Sequence, residues 1–184
     1  MKWNMDTAHS SFEFAVRHMG FATVRGRFNE FTADIESDDA GRLKRVEAVI
    51  DATSIDTNEP KRDAHLRSAD FLDVEQFPEI HFASKAVEQT GSGRYRVTGD
   101  LTIRGTTQPV SFEVEAQDPI IDPYGNKRVA VEGSGKLNRK DWGLTWNQVM
   151  EAGALLVGEE VRFTLDVQGI AAEKEAEKEM VAAG

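Results

Sequence analysis

The chain has 184 residues and contains no cysteine. Disulfide bonds, thiolate catalysis and cysteine-ligated zinc or iron–sulfur sites are therefore excluded. Histidine is also scarce, with four residues at positions 9, 18, 65 and 81. These positions are too dispersed to form the closely spaced pair on one helix face that hydrolytic zinc sites use. The sequence predicts no metal site.

Long apolar runs are missing as well. Residues 1–6 carry no apolar core of an export signal, and the longest apolar run, residues 152–158, is too short to span a bilayer. We expect a cytoplasmic protein without stable membrane insertion. The 32 acidic residues outnumber the 22 basic ones and give a net charge of -10. This excess disfavours nucleic acid as a partner, because the surface repels phosphate backbones.

Most of the chain alternates between apolar and polar residues, which is typical of β-strands with one buried face. The first such stretch, residues 11–18, places Phe12, Phe14, Val16 and His18 on one face. The same pattern recurs in residues 46–50, 80–82, 95–103, 110–114, 129–133 and 161–167. Between residues 24 and 35 the apolar positions change from even to odd, which requires a bulge or corner near residues 29–30.

About eight strands with one apolar face bury that face most simply by closing into a barrel. The sequence thus predicts an all-β fold, an antiparallel eight-stranded barrel spanning residues 1–170. Such a barrel is just wide enough to be filled by its own side chains or to hold one small ligand. The pairs Gly91/Gly93 and Gly133/Gly135 are expected to form turns or bends.

Residues 58–76 depart from the alternation and predict one or two short helices, with Asn58 as the N-terminal cap. Asp63, His65 and Ser68 in this segment do not form a catalytic triad, since helical spacing turns Asp63 away from His65. We expect Asp63 to take part in a surface ion pair or a cap. Residues 171–184 are rich in Ala, Glu and Lys and predict a charged tail, either a frayed helix or disordered.

Several literal motifs occur in order along the chain. They are the run from His9 through Phe12, Phe14 and Val16 to His18-Met19; Val24-x-Gly26-x-Phe28; residues 54–57; residues 62–73; Phe77-Pro78-x-Ile80-x-Phe82-x-Ser84; residues 99–105; Asn138-Arg139-Lys140-Asp141-x-Gly143; and Val157-Gly158. This series, from about residue 3 to residue 170, resembles the YceI family of lipocalin-like, polyisoprenoid-binding proteins.

The resemblance implies an extended lipocalin-like barrel with helices at its side or mouth, a long apolar pore that holds an isoprenoid-type lipid, and a homodimer. It implies no catalytic residues and no cofactor other than the bound lipid. Combined with the alternation, it predicts lipid-contacting residues on the inner wall. These are Phe12, Phe14, Val16, His18, Phe28, Phe82, Ser84, Leu101, Ile103, Phe112 and Val131, with His18 and Ser84 as the polar contacts.

The preferred hypothesis is a carrier or storage protein for a polyisoprenoid, an isoprenoid quinone or a similar long-chain lipid. One alternative is an enzyme that acts on an isoprenoid-like lipid, although no oriented acid–base pair can be identified from spacing. The other is a stress-related protein whose barrel is filled by its own side chains. A hollow barrel with an apolar wall would favour the first hypothesis over the third.

Overall fold

A computed structural model describes residues 1–151 and 153–172, and most of the predicted tail lies outside this part. The described residues form twelve strands and one α-helix. The strands are β1 (Lys2–Met5), β2 (Ser11–His18), β3 (Ala22–Phe28), β4 (Phe31–Ser37), β5 (Leu43–Asp51), β6 (Ile55–Asp56), β7 (Glu79–Gly91), β8 (Arg94–Ile103), β9 (Thr106–Ala116), β10 (Ile120–Ile121), β11 (Lys127–Asn138) and β12 (Val157–Ala171), and the helix is α1 (Pro60–Arg67).

Eight of these strands close into a ring. Following the pairings from β1, the order is β4, β5, β7, β8, β9, β11 and β12, and β12 returns to β1. Every neighbouring pair is antiparallel, so the predicted eight-stranded antiparallel barrel is confirmed. Each strand predicted from alternation is present, whereas β1 and the two-residue strands β6 and β10 were not expected.

The strand β12 contacts two different strands along one edge. Its last residues pair with β1, with Trp3 opposite Ala171, and its earlier residues pair with β2, with Phe14 opposite Phe163. The β2–β3 hairpin therefore continues the wall above β1. The predicted corner at residues 29–30 separates β3, whose Phe28 is buried, from β4, whose Ile35 is buried.

The segment between β6 and β7 contains a single helix, α1, rather than two. Its N-terminal cap is Glu59, whose carboxylate accepts a hydrogen bond from the Arg62 amide. The predicted cap, Asn58, instead adopts a left-handed conformation at φ 61°. The helix begins at Pro60, so residue 59 occupies the cap position, and the Glu59 carboxylate there also suits the positive end of the helix dipole.

The core is divided between the two ends of the barrel. At one end, Trp3, Val97 and Val167 belong to a cluster that fills the space between the strands. At the other end, Phe28, Leu72 and Trp142 belong to a second cluster beneath the segment that carries α1. Trp142 is the last residue of a short 3₁₀ turn at Arg139–Trp142, and its indole nitrogen donates to the Leu101 carbonyl at 2.9 Å. Members of both clusters line the cavity inside the barrel.

Candidate binding cavity

A cavity of about 550 Å³ occupies the barrel interior. This volume lies within the range of roughly 300–1,000 Å³ that is typical of small-molecule sites. Its deep end is lined by Ile35, Val131 and Val167, and its mouth lies beside α1 and the loop after β11. The strands supply an almost wholly apolar wall, because every second residue of each strand points inward.

Phenylalanine rings form a continuous chain of contacts along this wall. Phe14 contacts Phe28 and Phe28 contacts Phe12, with ring centroids 5.6 and 5.7 Å apart. The chain continues through Phe163, whose ring lies 6.2 Å from Phe12 and 5.6 Å from Phe112. Phe82 completes it at 5.3 Å from Phe112. These tilted, stacked and edge-to-face arrangements are favourable between aromatic rings and give the wall a defined shape.

Glycines make room for the largest of these side chains. Gly135 lies opposite Phe163 in the β11–β12 pair, and a Cβ atom at Gly135 would come within 2.7 Å of the ring. Gly26 lies opposite Phe14 in the β2–β3 pair, where the corresponding distance would be 2.4 Å. The rings thus lie over glycine backbone, along the wall rather than across the lumen.

This arrangement corrects the expectation that Gly133 and Gly135 form turns or bends. Both lie inside β11, where Gly133 faces Leu165 as Gly135 faces Phe163. Gly91 and Gly93 do flank a turn, between β7 and β8. The sequence already indicated that Gly133 and Gly135 lie in a strand. The alternation that begins at Val129 continues at odd positions through both glycines to Leu137.

The mouth of the cavity is basic. Four cationic side chains, those of Arg17, Lys61, Arg62 and Arg139, line it together with His18 and His65. Among the described residues that line the cavity there is no Asp or Glu. In a chain of net charge -10, this separation of charge produces a local field that favours a negatively charged or hydrogen-bond-accepting group at the mouth.

Arg139 is the most buried of these cations, with only 4% of its surface exposed. Its guanidinium donates to the carbonyls of Leu144, Trp146 and Gly158 at 2.6, 2.9 and 2.8 Å, and to that of Val157 at 3.3 Å. Burial lowers the pKa of Arg139. The residue holds the loop after β11 against the start of β12, and it is therefore a structural part of the mouth.

Arg62 and Asp63 are fixed by the same threonine. Arg62 donates to the Thr57 hydroxyl at 2.7 Å and to the Thr57 carbonyl at 2.8 Å. Asp63 is 7% exposed and accepts from the Thr57 amide at 2.9 Å and from its hydroxyl. The expected surface ion pair of Asp63 is therefore wrong. Its carboxylate is buried where α1 packs on the barrel, and its partner is Thr57. Asp63 anchors the helix start to β6.

His65 lies at the mouth and pairs with Asp70, with 2.8 Å between Nε2 and Oδ2. The Ser68 hydroxyl donates to the backbone carbonyl of His65 at 2.7 Å and does not face the imidazole. No nucleophile is thus presented to this His–Asp pair by Ser68, which agrees with the rejection of a triad. Across residues 1–151 and 153–172 no group of three or more His, Asp or Glu side chains has the arrangement of a metal site.

Ten of the eleven predicted wall residues line the cavity. They are Phe12, Phe14, Val16, His18, Phe28, Phe82, Leu101, Ile103, Phe112 and Val131. Ser84 does not, and its hydroxyl instead accepts a hydrogen bond from the Val46 amide at 3.0 Å. The pairing of β7 with β8 shifts by one residue directly after Ser84, and such a shift redirects side chains from one face to the other.

The predictions missed most of the mouth. Leu66, Phe71 and Trp146 line the cavity and come from the α1 segment and the loop after β11, where strand alternation gives no information. The basic residues Arg17, Lys61 and Arg62 were also missed, because they lie at the ends of elements where side chains fan outward. For Arg17 the signal was local charge, since residues 16–25 contain two arginines and no carboxylate.

The YceI-like domain model matches residues 3–169 of the chain. The chain belongs to the YceI-like family. Its relatives include a UPF0312 protein of Vibrio parahaemolyticus, 39% identical over 73% of this chain and 72% of the relative. A UPF0312 protein of Shewanella denitrificans is 38% identical over 89% of this chain and 83% of the relative.

Solved structures share the fold. BcnA of Burkholderia cenocepacia has a TM-score of 0.78 at 22% identity and covers 90% of this chain and 99% of its own. A polyisoprenoid-binding domain of Saccharophagus degradans, implicated in plant cell wall breakdown, has a TM-score of 0.70 at 15% identity and covers 92% of this chain and 98% of its own. Within the described residues, no helix of this YceI-like protein has the length and apolar character needed to cross a membrane.

Proposed function

We propose that this YceI-like protein binds one long-chain isoprenoid-type lipid in the barrel and acts as its carrier or store. The observation that carries the proposal is the apolar cavity inside the barrel, whose mouth lies beside α1. Burying a five-carbon isoprene unit contributes about 4 kcal/mol before ordering costs, at roughly 0.8 kcal/mol per CH₂. A few such units give usable affinity without any catalytic group.

The proposal includes an orientation of the lipid. The tail lies against the phenylalanine wall, and the head lies at the mouth near His18 and the basic side chains. Those groups donate hydrogen bonds and carry positive charge, so they suit a head with acceptor oxygens, such as a quinone or a phosphate. The absence of carboxylates from the described lining removes repulsion against such a head.

The experiment is extraction of the purified protein into organic solvent, followed by mass spectrometry. A carrier yields about one long-chain lipid per cavity, whereas a barrel closed by its own side chains yields none. A lipid whose chemical structure changes on incubation with the protein would instead support an enzyme. The homodimer implied by the family resemblance remains a prediction, which sedimentation of the same sample measures.

A variant of the deep wall tests whether the lipid reaches the end of the cavity. Val131 lies there opposite Val167, and Val131→Phe adds a ring to the lumen. We expect extracted lipids to shift toward shorter chains, with destabilisation below the roughly 1–3 kcal/mol of overpacking in a filled core. An unchanged lipid profile together with clear destabilisation would show that no lipid occupies this depth. Val87→Phe, a half-buried position on β7 outside the cavity lining, is the control.

A further inference from the structure

Exposed apolar side chains lie directly outside the mouth of the cavity. They belong to two segments, the turn between β2 and β3 and the loop between β11 and β12. We call them the apolar rim, and they are Met19, Phe21, Val149 and Leu155. Phe21 is 76% exposed and Val149 is 68% exposed. Side chains of this size in solvent, grouped at one opening, are characteristic of interaction surfaces.

Backbone hydrogen bonds join the two segments into one surface. The Met19 amide donates to the Leu156 carbonyl at 2.8 Å, and the Leu156 amide donates to the Gln148 carbonyl at 2.9 Å. Val149 and Leu155 face each other across an isolated β-bridge. The apolar rim is therefore held by the fold and is not a set of independent loop residues.

The turn that carries Met19 and Phe21 is conformationally specific. Met19 has φ 56° and Gly20 has φ 77°, and the Arg17 guanidinium donates to the Phe21 carbonyl at 3.2 Å. A left-handed conformation is uncommon for an unbranched residue with a long side chain such as methionine. Here it directs the chain so that two large apolar side chains remain in solvent beside the cavity.

We propose that the apolar rim docks on the surface of a lipid bilayer that contains anionic lipids, and that cargo enters and leaves the cavity there. The proposal rests on the proposed function, because a lipid carrier must exchange with a bilayer. A long apolar chain that crossed water would expose its whole length, whereas an opening pressed into the bilayer boundary keeps the chain covered. Leu156 and Trp146, which line the cavity, continue the apolar surface inward from the rim.

Charge complements this apolar surface. Residues 16–25 contain Arg17 and Arg25 and no carboxylate, and residues 142–150 contain no charged side chain. Lys61 of α1 adds a further cation at the mouth, and Glu151 is the nearest acidic residue in the loop sequence. A basic, apolar patch on a strongly acidic protein orients it mouth-first toward a negative bilayer, because the rest of the surface is repelled.

The test measures vesicle binding and lipid content separately. The full chain is mixed with vesicles of phosphatidylcholine alone or with an equal part of phosphatidylglycerol, and bound protein is separated by flotation. We expect binding to the anionic vesicles, weakened by salt. The double variant Met19→Ser, Phe21→Ser should reduce it by about tenfold or more, since interfacial binding scales with buried apolar area.

The matched control is Ile120→Ser with Tyr124→Ser. These residues are as exposed as the rim, but they adjoin the start of β11, about 36 Å along that strand from its mouth end. The control should bind vesicles like the wild type. The variant Arg25→Gln should weaken binding to anionic vesicles only. The rim variant should keep the same capacity for added lipid, because Met19 and Phe21 do not line the cavity.

Wild-type binding by the rim variant, or absence of vesicle binding by the wild type, would overturn the docking proposal even if extraction finds lipid in the cavity. Conversion of a wild-type dimer to a monomer by the rim variant, without any vesicle binding, would assign the surface to a second copy of the chain and also overturn it. Rim-dependent vesicle binding by a protein that yields no lipid would support docking and contradict the proposed cargo.

Discussion

The indole ring of Trp146 stands edge-on to the imidazole of His65, with 4.6 Å between the ring centroids and 88° between the planes. Phe71 contacts both rings, at 5.4 Å from Trp146 and 5.1 Å from His65. Because His65 lies in α1 and Trp146 lies in the loop after β11, this aromatic cluster ties the two segments together across one side of the mouth. The cluster covers part of the opening through which a lipid must pass.

The variant Trp146→Ala is expected to open the mouth. Loss of a half-buried ring should cost about 1–2 kcal/mol of stability, less than the 3–5 kcal/mol of a fully buried aromatic. Bound lipid should transfer to acceptor vesicles several-fold faster, which a fluorescent lipid reports. Thr145→Ala, at an exposed neighbouring position, is the control. Equal transfer rates in the two variants would show that the cluster does not cover the exit.

The variant Gly135→Ala is expected to push the Phe163 ring from the wall into the lumen. The added Cβ would also meet Phe112 Cβ at 2.9 Å, so the neighbouring strand gives little room. We expect a loss of stability of about 1–3 kcal/mol, typical of overpacking, and less lipid per protein on extraction. Ser134→Ala changes an exposed residue of the same strand and should alter neither. Retention of the full lipid content would show that the Phe163 ring moves without reducing the space for lipid.

The variant Arg139→Met is expected to destabilise the protein by about 2–4 kcal/mol, because it removes the donors from several buried carbonyls and each unsatisfied group costs roughly 1–3 kcal/mol. Lys140→Met replaces an exposed neighbour and should cost less than about 0.5 kcal/mol. Urea denaturation of both variants measures the difference. Similar urea midpoints for the two variants would mean that water satisfies the carbonyls in place of the guanidinium without a loss of stability.

Acid should weaken the far end of the barrel through an aspartate–arginine cluster. Arg128 donates at 2.7 Å to both Asp6 and Asp122, two side chains that are 14% and 7% exposed. The hydrogen bond from Arg128, followed by that from His9, lowers the pKa of Asp6 from 3.8 to about 2. The hydrogen bond from Arg128 also lowers the pKa of Asp122.

Since these pKa values are depressed in the folded state, their contribution to stability is complete above pH 3.8 and is lost as pH falls through about 2. Arg128→Gln should therefore reduce stability at neutral pH and flatten its decline between pH 4 and pH 2. Urea midpoints across this range measure both effects. Arg96→Gln, which removes an exposed ion pair with Glu113, should leave the decline of stability with pH unchanged. An equal flattening in this variant would contradict the assignment of the acid sensitivity to Arg128 and its two aspartates.

Alternation predicted the barrel well because a closed sheet has a single inside and each strand must place every second residue there. Phe12, Phe112 and Val131 follow directly from this rule. Ser84 fails because the pairing of β7 with β8 shifts beside it, and period two carries no information about a bulge before partners are known. The Ser84 hydroxyl accepts from the Val46 amide of β5, the strand on the other side of β7.

The mouth was less predictable for a different physical reason. Trp146, Arg139 and His65 meet only after the helix and the loop fold over the barrel, and their contacts depend on tertiary packing rather than on local period. Asp63 illustrates the point, since a carboxylate in a charged helix suggests a solvent position, yet bonds to Thr57 make its burial favourable. The strand position of the β11 glycines could be read from the sequence, but the room that they make for Leu165 and Phe163 depends on the facing strand.

Because β12 pairs with both β1 and β2 along one edge, the barrel cannot close before β12 has been synthesised. Trp3 pairs with Ala171, and β12 also bridges β2 to β11. During synthesis, the earlier strands therefore keep unpaired edges until residues 157–171 leave the ribosome. A ring whose last strand joins both ends of the sequence has high contact order and folds slowly. Until then the unpaired edges of the earlier strands are exposed, and exposed edges of this kind are prone to aggregation before the ring closes.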